Sequence, residues 1–120
     1  MTRKIKLGFA DTYDNAKNFF TEILGTRYDV TIDNKYPEYL IFGDRNFGYS
    51  HLEGNFVGSK KIFFTGENVR PYWSECQYAI SFDHENSSRH YRLPLWVLEM
   101  WAITKDNNPL GVYTFDTLKT

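Results

Sequence analysis

The sequence predicts an α/β fold in which helices pack on a mostly parallel sheet, and three observations carry that prediction. Ile5, Leu7 and Phe9 alternate with other residues near the start of the chain. Ala16, Phe19, Phe20, Ile23 and Leu24 then recur at helical spacing. Tyr39, Leu40, Ile41 and Phe42 form a run that is apolar on both faces, as a central parallel strand requires.

In chain order, the first strand contains Ile5, Leu7 and Phe9. It leads to a helix with Asp14 as its expected N-cap and Gly25 just past its end. Tyr28, Val30 and Ile32 alternate with polar neighbours as a second strand, and residues 39–42 make the third. The result is a β-α-β unit with the right-handed crossover expected of such units. Residues 43–58, rich in Gly, Asn and polar side chains, read as a loop or short strand. Phe47, Tyr49, His51, Leu52 and Phe56 are expected to tuck beneath that loop rather than to line a cleft. Residues 61–65 form the next strand, since Lys61-Ile62-Phe63-Phe64 leaves no room for a helix before Thr65-Gly66-Glu67-Asn68 breaks the run. Residues 78–82 are the fifth strand, and residues 95–103 form a short helix after Pro94. In the tail, residues 107–120, Val112-Tyr113-Thr114-Phe115 has the propensity of an edge strand.

Length and composition fit one domain, residues 1–120, with enough surface to bury an ordinary core. The formal net charge is −1, from 14 basic and 15 acidic residues without a block of like charges. That leaves no electrostatic footprint for nucleic acid or for an anionic membrane. The apolar runs are short and the chain enters its first strand at once, so neither a signal peptide nor a membrane span is expected. The single Cys76 suits a reducing compartment such as the cytoplasm and is expected to be a small buried hydrophobe. Most of the 10 Phe, 9 Tyr and 3 Trp are expected in the core, although exposed Tyr and Trp are also the side chains that stack on sugars. No metal site is expected: Asp83-His84-Glu85 alternates in direction along a strand, and His51, His84 and His90 read as polar loop residues. Asn86-Ser87-Ser88 fits a glycosylation sequon, which matters only in a secretory pathway, and there is no phosphate-binding glycine motif.

Residues 61–95 carry a specific ordered string: Thr65-Gly66-Glu67-Asn68, Arg70-Pro71, Cys76, Tyr78-Ala79-Ile80, Phe82-Asp83, Arg89 and Arg92-Leu93-Pro94-Leu95. Together with Lys6-Leu7-Gly8-Phe9 and Tyr36-Pro37-Glu38-Tyr39-Leu40-Ile41-Phe42, this resembles the α-1,3/4-fucosyltransferase family over residues 4–98. Members of that family move fucose from GDP-fucose to a sugar hydroxyl with inversion, using two Rossmann-like halves in a GT-B arrangement. The resemblance implies a Rossmann-like three-layer sandwich corresponding to the first, acceptor-side half. The donor half's motifs do not occur, so the expectation is an acceptor-binding domain without its donor-binding domain, inactive alone. The alternative is a free-standing, non-catalytic module that binds a glycan or self-associates.

The resemblance also implies roles for single residues. Glu67 is the expected general base, taking the acceptor's hydroxyl proton, although a glutamate at this turn can equally cap it or pair with Arg70. Asn68, Arg70, Arg89 and Arg92 are expected to bind the acceptor or shape its site. No cofactor is expected in the chain itself, GDP-fucose being the donor of a complete enzyme. The expected partners are a glycan acceptor and either a donor-binding domain or a second copy, the latter through Trp96, Met100 and Trp101. Gln77 stands where relatives carry aspartate, and His84 and Glu85 where they are more hydrophobic. Eukaryotic members of the family carry an N-terminal anchor, and without one the expectation is a bacterial or viral protein or a trimmed chain.

Overall fold

The computed structural model describes residues 2–67, 69–81, 83, 87–94, 97, 100 and 101. Among these, β1 (Arg3–Ala10), α1 (Asp14–Gly25), β2 (Tyr28–Ile32), β3 (Tyr39–Phe42), β4 (Lys60–Phe64), β5 (Tyr78–Ser81) and β6 (His90–Arg92) follow in order. The strands form one six-stranded sheet in the order β2-β1-β3-β4-β5-β6, and every neighbouring pair is parallel.

A parallel sheet usually needs a long crossover between consecutive strands, yet only residues 33–38 separate β2 from β3. The register explains how so few suffice. β1 pairs with β2 through Arg3 to Leu7 and with β3 through Leu7 to Ala10, so β2 ends at the level where β3 begins. The connection therefore only has to step across β1. Gly8 lies beneath that step: a Cβ there would meet Asp33 O at 2.6 Å and Pro37 Cγ at 2.8 Å. The step is tied to β1 by Asp33 N to Leu7 O at 2.9 Å, Glu38 N to Lys6 O at 3.0 Å and Phe9 N to Asn34 Oδ1 at 2.8 Å. Asp33 holds the turn's shape by accepting the Lys35 and Tyr36 amides at 3.0 Å. Those two amides hold its carboxyl below the usual range.

Both faces of the sheet are covered, as an all-parallel sheet requires. On one face α1 buries Ala16, Phe19 and Phe20 against Leu7, Phe9, Ile41 and Phe64. Trp101 joins there edge-on to Phe19 at 5.5 Å. On the other face the third layer comes from connecting segments and two 3-10 turns, Ser50–Leu52 and Gly54–Phe56. Phe56, Cys76 and half-buried Val69 and Trp73 there cover Leu40, Phe42, Phe63 and Ala79. Cys76 is buried as expected.

Four local expectations change. Asp14 is the first helical residue; Tyr13 is the N-cap and makes no side-chain cap bond. Gly25 is the last helical residue, and Thr26 closes the helix by donating its hydroxyl to Ile23 O at 2.7 Å. His90, Tyr91 and Arg92 form a sixth strand on the sheet edge. The loop aromatics divide, with His51 and Phe56 buried while Phe47, Tyr49 and Leu52 are about half exposed. Val97, Met100 and Trp101 are helical; the rest of the expected 95–103 helix, and the tail, lie outside the described residues.

Candidate functional site

Parallel strands send their C-terminal loops to one edge, and the strand order reverses direction between β1 and β3. Such a switch point opens a crevice at the carboxyl ends of the two strands. Asp44, two residues beyond β3, is buried there at 3% exposure. Its Oδ1 accepts the Asn46 amide at 2.9 Å and its Oδ2 accepts the Thr65 hydroxyl at 3.1 Å. The same Thr65 oxygen accepts the Glu67 amide at 3.0 Å. Thr65 thus bridges a buried carboxylate and the turn that follows β4, and these bonds set where the backbone of Glu67 sits. Glu67 itself is exposed and lines a pocket of about 160 Å³ with Tyr13, Asp44, Phe47 and Phe64 among its walls.

A second pocket, of about 210 Å³, shares Gly43 and Asp44 with the first. It is lined by apolar Phe42, Phe63 and Val69 and by polar Arg45, His51, Tyr72 and Glu75. The His51 ring is 1% exposed and stacks on Phe42 with centroids 4.0 Å apart and planes at 11°. Its Nε2 lies 2.7 Å from Glu75 Oε1, and Arg45 pairs with Oε2 of the same carboxylate. The Arg45 guanidinium also lies over the Tyr72 ring at 3.9 Å. The histidine that reads from sequence as a polar loop residue is therefore buried, because Phe42 and Glu75 give its two characters, aromatic and polar, a partner each.

Burial pushes the Glu75 carboxyl toward its neutral form, but hydrogen bonds from His51 and Arg45 outweigh that and hold it below the usual range. The bond to Glu75 likewise raises Arg45. A carboxyl depressed in the folded state contributes stability above its unfolded value, about pH 4.3. That contribution is lost as pH falls through the folded value. Wild type should therefore resist urea better than Glu75→Gln near neutrality, and the difference between their midpoints should shrink from about pH 5 to about pH 3. A difference that persists undiminished in acid would show that Glu75 acts through shape and not through charge.

The expected site residues are only partly brought together. Glu67 stands at the C-terminal edge. Arg70 does not pair with it; its Nε lies 2.9 Å from Asp83 Oδ2, beyond the end of β5. Arg92 ends β6 level with Ser81, on the outer strand of the same sheet edge. Arg89 precedes β6, its carbonyl accepting the Ala79 amide at 2.9 Å, and its guanidinium lies over Trp73 at 4.6 Å. It sits level with the start of β5, toward the opposite edge from Glu67. Asn68 lies outside the described residues. Asp44, His51 and Glu75 were not signalled by any motif; the one pattern present is a carboxylate one glycine past a fully apolar strand, which could have pointed to Asp44 alone.

Among the described residues no helix is long and apolar enough to cross a membrane, and no group of three or more His, Cys, Asp or Glu could hold a metal ion. The model of the "alpha-(1,3)-fucosyltransferase FucT N-terminal domain" family matches residues 6–99. The alpha-(1,3)-fucosyltransferase FucT of Helicobacter pylori is 34% identical over 77 residues, which is 62% of this chain and 16% of that protein. The chain thus spans about a sixth of that relative's length. A crystal structure of an α1,3-fucosyltransferase with GDP is 26% identical, with a TM-score of 0.58 over 79% of this chain and 28% of its own. Another, of an α1,3-fucosyltransferase, superimposes with a TM-score of 0.63 at 24% identity, over 86% of this chain and 32% of its own, which is a likeness of fold.

Proposed function

Because the chain belongs to the α-(1,3)-fucosyltransferase FucT N-terminal domain family, we propose that it is the acceptor-binding half of an inverting α-1,3-fucosyltransferase that uses GDP-fucose and is inactive alone. The observation that carries this reading is the placement of Glu67: an exposed carboxylate on a pocket rim at the switch-point edge, its backbone anchored through Thr65 to buried Asp44. In the reaction, an acceptor hydroxyl oxygen bonds to the anomeric carbon of fucose from the face opposite GDP. The bond from that carbon to the β-phosphate oxygen breaks, and GDP leaves with the electron pair. Glu67 takes the hydroxyl proton as the oxygen loses it, so the attacking oxygen never carries a full positive charge. Arg70, Arg92 and Asn68 shape the acceptor side in this reading, whereas Arg89, level with the start of β5, lies toward the opposite edge and is not part of it.

Inactivity alone follows from the need to hold two sugars in attack geometry, which takes both walls of the cleft. The donor wall belongs to a second domain, which is the principal partner in this reading. The glycan acceptor is the other. Self-association through Trp101 has less support, since that ring packs on Phe19 within the chain.

The test is a titration of isotopically labelled chain with N-acetyllactosamine and, separately, with GDP-fucose, alongside an assay for GDP release when both are present. The disaccharide should shift amides of Thr65, Gly66 and Glu67, GDP-fucose should shift none, and no GDP should be released above background. Turnover by this chain alone, or a response to GDP-fucose only, would overturn the assignment.

A further inference from the structure

The chemistry at Glu67 leaves the 210 Å³ pocket on the other side of Asp44 without a task. Three of its features bear on what it can hold. Glu75 is ionised and can only accept, so the His51 Nε2 beside it must carry a hydrogen and donate. In neutral His51 this leaves Nδ1 as the bare acceptor, and that atom is fully buried with no hydrogen-bond partner among the described residues. Such atoms are rare in folded proteins and call for a donor from water or ligand. A hydroxyl meets the need, and it can also accept if the ring is protonated; a carboxylate anion offers the neutral ring no donor.

Charge points the same way. Asp44 and Glu75 set two carboxylates against one guanidinium, and Arg45 is already engaged by Glu75 and by the face of Tyr72. An anionic ligand would compete with Glu75 for Arg45, the only cation in the lining among the described residues, whereas a neutral one need not. The remaining lining is aromatic and aliphatic, and Tyr72 is half exposed, a ring available to the C–H face of a sugar. The pocket adjoins that of Glu67, with Gly43 and Asp44 common to both.

We propose that this pocket is a subsite for a neutral pyranose ring, the neighbour of the ring whose hydroxyl reacts at Glu67, so that an acceptor disaccharide straddles Asp44. The assignment of the neighbouring ring rests on Glu67 as the base. Asp44 then has two roles, fixing Thr65 on one side and bounding the subsite on the other.

The experiment follows amide and histidine-ring ¹⁵N resonances of the labelled chain during titration with N-acetyllactosamine and, in a parallel sample, with inorganic phosphate. The disaccharide should shift Asn46, Tyr72 and the His51 ring as well as Glu67, phosphate should shift none of the pocket residues, and Tyr72→Ala should weaken disaccharide binding by about tenfold. Disaccharide shifts at Asn46 and Tyr72 without any at Glu67 would keep the sugar pocket and remove the base assignment. Shifts confined to Glu67, with Tyr72→Ala binding as wild type, would overturn the subsite and leave the base assignment standing. Pocket shifts with phosphate would overturn it in favour of an anion site, and silence with the disaccharide would overturn it outright.

Discussion

Glu67→Gln is expected to lower fucose transfer by about 10²- to 10⁴-fold, the usual worth of a positioned general base. The measurement needs an active enzyme, for which this chain can replace the matching segment of the H. pylori relative. Glutamine keeps the size of the side chain and leaves the amide of residue 67 bonded to the Thr65 hydroxyl, so the turn should survive. What it cannot do is take a proton. The loss should therefore fall on kcat, with the acceptor KM little changed, because the interaction removed exists only as charge develops on the attacking oxygen. A variant that loses affinity while keeping kcat would identify Glu67 as a binding group and leave the base to be found elsewhere.

The neighbouring arginines give that experiment its contrast. Arg70 is tied to Asp83 with its side chain 63% exposed, and ion pairs in that setting are worth about 0–1 kcal/mol. Its removal should perturb the β4–β5 and β5–β6 connections only slightly. Glu67, by comparison, makes no ion pair with Arg70 among the described residues. The turn is held instead from within, by the Thr65 hydroxyl and the Asp44 carboxylate, both of them buried. An acid on the rim can act as a base only if something other than its own side chain holds its backbone in place, and here something does.

How far this was legible in the sequence depended on the range of the interactions. Strands β1 to β5 announce themselves because each carries apolar side chains in a local pattern, buried in β1, β3, β4 and β5 and half-buried in β2, and Thr65 to Glu67 because a polar break after Phe63-Phe64 marks a strand end. β6 did not: His90-Tyr91-Arg92 is a polar segment on a sheet edge, and only its register against Ala79, Ile80 and Ser81 makes it a strand. The second pocket was invisible for a related reason. Asp44 and His51 come from one connection and Glu75 from the next, and they become one cluster only when β3, β4 and β5 are aligned. His51 in particular looks in sequence like any loop histidine, since the Phe42 ring it lies on belongs to the strand before its loop. The short step over Gly8 likewise leaves no mark, because what a glycine avoids is a clash with residues 25 and more positions away.

Gly43→Ala is expected to cost about 3 kcal/mol, a large part of the roughly 5–15 kcal/mol that holds a domain of this kind together. Gly43 leaves β3 beside the exit of β1, and a Cβ on it would lie 2.2 Å from the Asp11 carbonyl oxygen. That oxygen is backbone, in a residue already at a φ of +54°, a conformation aspartate tolerates better than most. The Asp11 side chain is engaged too, its carboxylate accepting the Ser50 amide at 2.7 Å. The Gly43 amide is itself bonded to Ala10 O at 3.3 Å. Neither side can withdraw without pulling on a central strand, so the strain spreads into the switch point where both pockets meet. Gly25→Ala makes the same chemical change at the end of α1, where nothing lies within 4 Å of the new atom. It should raise stability by about 0.5–1 kcal/mol by restricting the unfolded chain. Urea unfolding followed by circular dichroism should thus move the two midpoints in opposite directions. Equal midpoints would mean that the β1 and β3 exits are loosely held, and with them the frame that positions Asp44, Thr65 and Glu67.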